Sequence, residues 1–142
     1  MHIFAFTTEP VTLAMPLFLD KCPAGFPSPA TDFQESELDL NDYCVSHPSA
    51  TFFVRASGNS MTDIGLKDGD LMVVDRSVKP VHGHVVIAEV DGEFTVKQLR
   101  LSSTPPHVTL QPMNSDYPPI HPDPERLQIF GVVRYFIHKL EA

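Results

Sequence analysis

Two residues in this chain are of types that together could do covalent chemistry. Ser60 stands in Ser57-Gly58-Asn59-Ser60-Met61, and Lys97 stands in Phe94-Thr95-Val96-Lys97-Gln98-Leu99. A strand that ends at about Ser57 and turns at Gly58-Asn59 leaves a hydroxyl exposed beside backbone N–H groups that can hold an oxyanion. Taken alone, a loop serine is ordinarily a solvated hydroxyl and a strand lysine a solvated ammonium. Strand alternation puts Thr95, Lys97 and Leu99 on one face and Phe94, Val96 and Gln98 on the other. A lysine sharing its face with Leu99 can lose hydration. Burial disfavours the charged amine, at about 1.36 kcal/mol per pKa unit. A neutral amine is a general base, and with a serine it forms the Ser–Lys version of the nucleophile–base pair. Spacing alone leaves open whether Ser60 and Lys97 meet.

The elements that must carry these residues are mostly strands. Thr51–Ser57, Leu71–Asp75, Val85–Val90 and Glu93–Leu101 are rich in β-branched and aromatic residues. Asp91-Gly92 between the last two is a hairpin turn signal. Val108–Gln111 and Leu127–His138 complete the set, with a loop over Pro112–Pro124. Phe52, Phe53 and Phe130 read as core. Ser36 is positioned to cap a short helix over 37–45, with Asp39 as an imperfect capping box and Pro48 beyond its end. Upstream, Pro10, Pro16, Pro23, Pro27 and Pro29 break regular structure. Residues 1–35 therefore read as an extended arm. Its apolar clusters (Ile3, Phe4, Phe6; Leu13, Met15, Leu17, Phe18, Leu19) predict that it docks on something. The expected fold is a small, mostly-β domain behind a proline-rich arm.

Composition narrows the function. The 142 residues carry 10 basic and 18 acidic side chains, a net charge of −8 that disfavours sequence-independent DNA binding through phosphates. Seven of the acids and a single base, Lys21, fall in residues 1–50, so the acidity is concentrated towards the N-terminus. No run approaches the roughly 18 apolar residues of a membrane span, and no base precedes Lys21 to start a secretory signal. Cys22 and Cys44 form no CxxC pair, which fits free thiols in the cytoplasm. His82-Gly83-His84 lacks the cysteine or carboxylate partners of a metal site. Asp68-Gly69-Asp70 reads as a turn, not a calcium loop.

Three segments together resemble the self-cleaving LexA/UmuD family. Ser57-Gly58-Asn59-Ser60-Met61, then Gly65 and Asp68-Gly69-Asp70, is similar to its nucleophile segment, and Val90–Lys97 is similar to its lysine segment. Ala24-Gly25, followed by Phe26-Pro27-Ser28-Pro29-Ala30, is similar to its cleavage site. The likeness runs from about Pro16 to Val133 and includes His47–Thr51 and Pro112-Met113-Asn114-Ser115. It implies a LexA/UmuD-type catalytic β domain in which Ser60 is the nucleophile and Lys97 the base. Backbone N–H groups at Asn59 and Ser60 would hold the oxyanion, and Ala24–Gly25 would be the bond cut. No cofactor or metal is implied. Ala24 is small enough for a shallow pocket, Gly25 lets the backbone approach closely, and Pro23 and Pro27 keep the bond extended. Many UmuD-like chains carry Cys where this one has Ala24, a departure shared with LexA. The 24 residues ahead of the bond are too few for a helix-turn-helix domain.

The resemblance divides the chain into a removable arm (1–24), a hinge with a short helix (25–45) and a β-rich Ser–Lys peptidase domain (46–142). It implies an SOS mutagenesis protein that cuts itself when stimulated by RecA on single-stranded DNA. The trimmed homodimer would then join a UmuC-like Y-family polymerase for error-prone translesion synthesis. DNA would be reached only through those partners. A non-proteolytic accessory module of the same fold is the alternative.

Overall fold

The computed structural model describes residues 3–5, 12–18, 21–27 and 35–141. Phe6 and Leu19 of the expected apolar clusters, Pro10, and Ser28-Pro29-Ala30 of the expected cleavage motif lie outside the described residues.

The strands are β1 (Ile3–Ala5), β2 (Ala14–Phe18), β3 (Glu35–Asp39), β4 (Thr51–Arg55), β5 (Leu71–Asp75), β6 (Val85–Val90), β7 (Glu93–Leu101), β8 (Val108–Gln111) and β9 (Leu127–Ile137). From Thr51 onward they form where β-branched and aromatic residues concentrate, whereas β2 (AMPLF) and β3 (ESELD) carry little of that signal and are held by pairing with each other. Seven of them make one antiparallel sheet in the order β1-β4-β5-β9-β6-β7-β8, and β2 pairs with β3 in a separate ribbon. The expected mostly-β fold is therefore the observed one. The arm is extended as expected, and its described strands are paired: β1 joins the edge of the main sheet, and β2 runs against β3.

Two apolar clusters cover the main sheet. One gathers Val54, Ala56, Met61, Leu66, Met72, Val74 and Ile87, and the other gathers Val86, Ala88, Leu99, Leu110 and Val132. β6 alternates between them, Val86 and Ala88 to one and Ile87 to the other, because successive strand residues face opposite ways. A strand buried on both faces reads as the continuous apolar run Val85–Ala88. β7 is locked beside it by the Asp91-Gly92 turn. Asp91 (φ 51°) and Gly92 (φ 83°) both take positive φ, as the two-residue turns matching strand twist require.

Two expectations need correction. The short helix is α1 (Leu40–Cys44), and its cap is Asp39, not Ser36; the Asn41 N–H donates to the Asp39 carboxylate at 3.0 Å. Ser36 is instead held in β3, opposite Leu17. Phe52, Phe53 and Phe130 are half-buried and not fully inside; Phe52 and Phe130 pack against the first apolar cluster at its rim. Phe52 and Phe130 pack edge-on at 5.8 Å, with the Arg76 guanidinium 4.4 Å above the Phe130 ring. A cation over an aromatic face keeps such rings useful near water.

β9 bends through two irregularities. Its pairing shifts between Val73 and Val74 on β5 and between Ile87 and Ala88 on β6. Gly131 lies opposite Ile87, and a Cβ there would stand 2.6 Å from Val74 Cγ1 and 3.2 Å from the Asp75 carbonyl oxygen. Gly131→Ala must push Val74 out of a full core, so we expect a loss of about 1–3 kcal/mol. It should appear as a lower urea midpoint at unchanged slope. An unchanged midpoint would mean that Val74 moves aside without strain.

Candidate active site

The Ser60 turn is built by three separate stretches of chain. β4 ends at Arg55, and Ala56 still ladders to the next strand's approach, its N–H donating to Asp70 O (2.8 Å) and its carbonyl accepting from Gly69 N–H (2.9 Å). Gly58 (φ 86°) then reverses the chain, a conformation that favours glycine. Its N–H donates to Asp68 Oδ1 at 2.8 Å. Met61, 2% exposed, anchors the far side of the turn in the core. The third stretch comes from the loop after β8. Met113 N–H donates to Ser60 O and Asp63 N–H to Met113 O, both at 2.8 Å. The Asn114 side-chain amide donates to Asn59 O (2.8 Å) and Thr62 Oγ1 (3.2 Å).

Behind this turn Asp70 is buried. Burial alone would raise its pKa. The Lys67 N–H at 2.8 Å and the His138 ring at 2.5 Å outweigh that effect and hold the carboxylate below its ordinary value. The pair ties the residue after β9 to the loop that carries Asp68.

Lys97 is buried in the middle of β7, opposite Val86. Its Nζ donates to Ser60 Oγ at 2.9 Å, Thr95 Oγ1 at 2.6 Å and Val96 O at 3.1 Å. Ser60 and Lys97 meet, although 37 residues separate them. All three acceptors are neutral, and among the described residues no carboxylate pairs with the amine. Burial therefore pushes the Lys97 amine below the ordinary lysine value.

Both protonation states fit this cage. The ammonium has three N–H donors for three acceptors. The neutral amine keeps two donors, which suit Thr95 and Val96, and turns its lone pair towards the Ser60 hydroxyl. In that state it can accept the serine proton along an existing 2.9 Å contact. The pair opens into a small cleft of about 110 Å³, whose lining includes Ser57, Met72, Ile87 and Phe94.

The other expected site residues lie as follows. Asn59 is exposed, and neither its backbone N–H nor that of Ser60 donates to another described residue, so both remain available. Ala24 and Gly25 sit in an exposed bend, and no residue of 21–27 is among the described lining of the cleft. His82 and His84 are used locally: each ring Nδ1 accepts a backbone N–H, from Leu101 (2.9 Å) and Val81 (3.1 Å). Cys22 and Cys44 are free thiols. No described helix is long and apolar enough to cross a membrane. Reading the residues in order did not assign a task to Thr95, Asp68 or Asn114. For Thr95 the signal was present, two positions from Lys97 on the same face. For Asn114 the partner lies 55 residues away, and no local pattern points to it.

A family description matches residues 16–134, which includes both halves of this site: Peptidase S24-like. The chain belongs to the peptidase S24-like family. The likeness to LexA/UmuD proteins drawn from its motifs is thereby upheld. Among its relatives, SamA of Salmonella typhimurium (strain LT2) is 60% identical over 134 residues, covering 94% of this chain and 92% of that protein. ImpA of Escherichia coli is 59% identical over 125 residues, 87% of this chain and 83% of that one. MucA of Escherichia coli is 49% identical over 124 residues, with 86% and 83% covered.

Two measurements test this geometry without any assay of activity. An unfolded lysine binds its proton more tightly than the buried one, so stability should rise with pH between the lowered pKa and about 10.4, then level off. We expect Lys97→Met to lack that rise, so that it appears in full as the pH dependence of the difference between the two chains' urea midpoints, and to be the more stable chain at neutral pH. Parallel curves would place the amine in solvent. Asn114→Ala should lose about 1 kcal/mol and speed hydrogen exchange at Gly58–Met61 more than elsewhere. Uniformly faster exchange would deny Asn114 a special hold on the turn.

Proposed function

We propose that this chain is an autocatalytic serine endopeptidase that cuts its own Ala24–Gly25 bond with Ser60 and Lys97. The observation that carries this reading is the 2.9 Å contact between the Ser60 hydroxyl and a buried amine with only neutral partners. Membership of the peptidase family supports it. In the proposed reaction neutral Lys97 takes the Ser60 proton as Oγ adds to the Ala24 carbonyl. The N–H groups of Asn59 and Ser60 hold the resulting oxyanion. The C–N bond breaks, the proton carried by Lys97 passes to the Gly25 amine, and Ala24 remains as an ester on Ser60. Water, deprotonated by Lys97, then hydrolyses the ester and restores the serine. The small cleft suits the alanine side chain on the acyl side.

On this reading residues 1–24 are the removable arm, 25–45 the hinge with α1, and 46–142 the peptidase domain. The family resemblance extends the proposal to a cytoplasmic SOS mutagenesis role. RecA on single-stranded DNA would stimulate the cut, and the trimmed homodimer would serve a UmuC-like Y-family polymerase in translesion synthesis. The similarity to SamA, ImpA and MucA supports placing it beside those proteins.

Mass spectrometry of the purified chain over a pH series tests the central step. Cleavage should release residues 1–24 and speed up about tenfold per pH unit until the lowered Lys97 pKa is passed, then plateau. Ser60→Ala and Lys97→Ala should each slow the cut by roughly a thousandfold or more while the circular dichroism stays that of a folded β protein. A flat pH profile, or the same cut in Ser60→Ala, would reject the assignment. An intact mass at every pH, with and without RecA filaments, would leave a non-proteolytic module.

A further inference from the structure

Phe94 is an aromatic at the mouth of the cleft with no role in the proton transfer. It lines the same cleft as Ser60 and Lys97, yet it is 44% exposed. Phe130 backs it edge-on, with ring centroids 5.9 Å apart at 88°. A half-exposed phenyl ring, backed by a second ring and lining the cleft that holds the Ser60 hydroxyl, is a platform for an apolar group of whatever enters.

The backbone around it is also open. β8 pairs with β7 only over Gln98–Leu101, so Glu93–Lys97 have β6 on one side and no strand among the described residues on the other. Leu99 directs its backbone to the β6 side, donating to His84 O and accepting from Gly83 N–H, both at 2.8 Å. By alternation Phe94 and Val96 direct theirs to the open edge. The Lys97 amine curls over that same edge to reach Val96 O. An extended segment can add there as a further strand.

The segment proposed as substrate has one feature that matches. Within Lys21–Pro27 a single large apolar side chain occurs, Phe26, and it is 95% exposed. Phe94 is about 10 Å along the strand from Lys97. Phe26 is about 7 Å along an extended chain from Ala24, and its benzyl arm covers the remainder. We propose that Phe94 is the specificity-determining residue of this cleft and that it receives the Phe26 ring when residues 24–26 lie along the open edge of β7. This inference rests on the self-cleavage reading for its substrate.

The test is a double-mutant cycle on self-cleavage in the full chain. Phe26→Ala and Phe94→Ala should each slow cleavage about 10- to 100-fold without moving the pH midpoint. Phe26→Leu should recover part of the rate. The double variant should lose little more than the worse single variant, as residues in contact do. Losses that multiply, or a wild-type rate in Phe26→Ala, would overturn the pairing. A second measurement does not need cleavage. In a Ser60→Ala chain with Cys22→Ser and Cys44→Ser, Phe26→Cys combined with Phe94→Cys should form a disulfide under mild oxidation. Phe26→Cys with Leu101→Cys, at the other end of β7, should not. Cross-linking in a chain whose wild type never cuts would sustain the pairing and sink the protease. A wild type that cuts, with no preference for position 94, would do the reverse.

Discussion

The site depends on an amine that is denied water and denied an opposite charge. With 18 acidic side chains against 10 basic ones, the chain as a whole favours protonated lysines. That influence is long-range, and salt screens it beyond about 8 Å. At Lys97 the local term wins, because the side chain is buried and its three acceptors are two hydroxyls and a carbonyl. A carboxylate in any of those three places would reverse the sign and keep the amine charged through the physiological range. Neutral acceptors do two jobs at once: they orient the amine towards Ser60 and leave desolvation unopposed.

Placing the two side chains is a problem of register. Lys97 belongs to a hairpin whose turn, Asp91-Gly92, admits one alignment, with Val86 opposite Lys97 and Ile87 opposite Val96. A slip of one residue would carry Lys97 to the other face together with every apolar neighbour. The buried alternation of Val86, Ile87 and Ala88 between two clusters makes that slip costly. Ser60 is set by different means. Its turn has little packing of its own beyond Met61, so side chains from elsewhere hold it: Asp68 on Gly58, Asn114 on Asn59 and Thr62, and the Met113 backbone on Ser60 itself. A stiff strand thus carries the amine, and a tied loop carries the hydroxyl.

This division explains what could be read from residue order. The strands from β4 onward, the hairpin turn and the pairing of a serine loop with a strand lysine are local patterns, or rest on motifs that keep their order along the chain; β1, β2 and β3 are not among them. The ties are not local. Asn114 is an ordinary loop asparagine until its carbonyl partner on Asn59 is known. Ser36 looks like a helix cap because its neighbours Glu37 and Asp39 fit that pattern. Pairing with Leu17 holds it in β3 and hands the cap to Asp39. Phe52 and Phe130 look like core by type, yet they sit half-buried beneath Arg76, since a long cation can cover a ring and still reach water. In each case a tertiary contact overrode a sound local preference.

The assembled pair and the exposed Ala24–Gly25 bend also bear on control. Serine and amine already stand at hydrogen-bond distance, so the proposed reaction needs little rearrangement at these two side chains. The bond proposed for cutting lies in solvent, outside the described lining of the cleft. For a reaction arranged in this way the observed rate is the rate of the docked state multiplied by the fraction of time spent docked. A partner that binds the docked form better than the open one raises that fraction by its ratio of affinities, without touching Ser60 or Lys97. Stimulation of self-cleavage by an external protein therefore requires no new catalytic group. It requires a surface that differs between the open and the proposed docked position of residues 24–26, and in that proposal the open edge of β7 is such a surface.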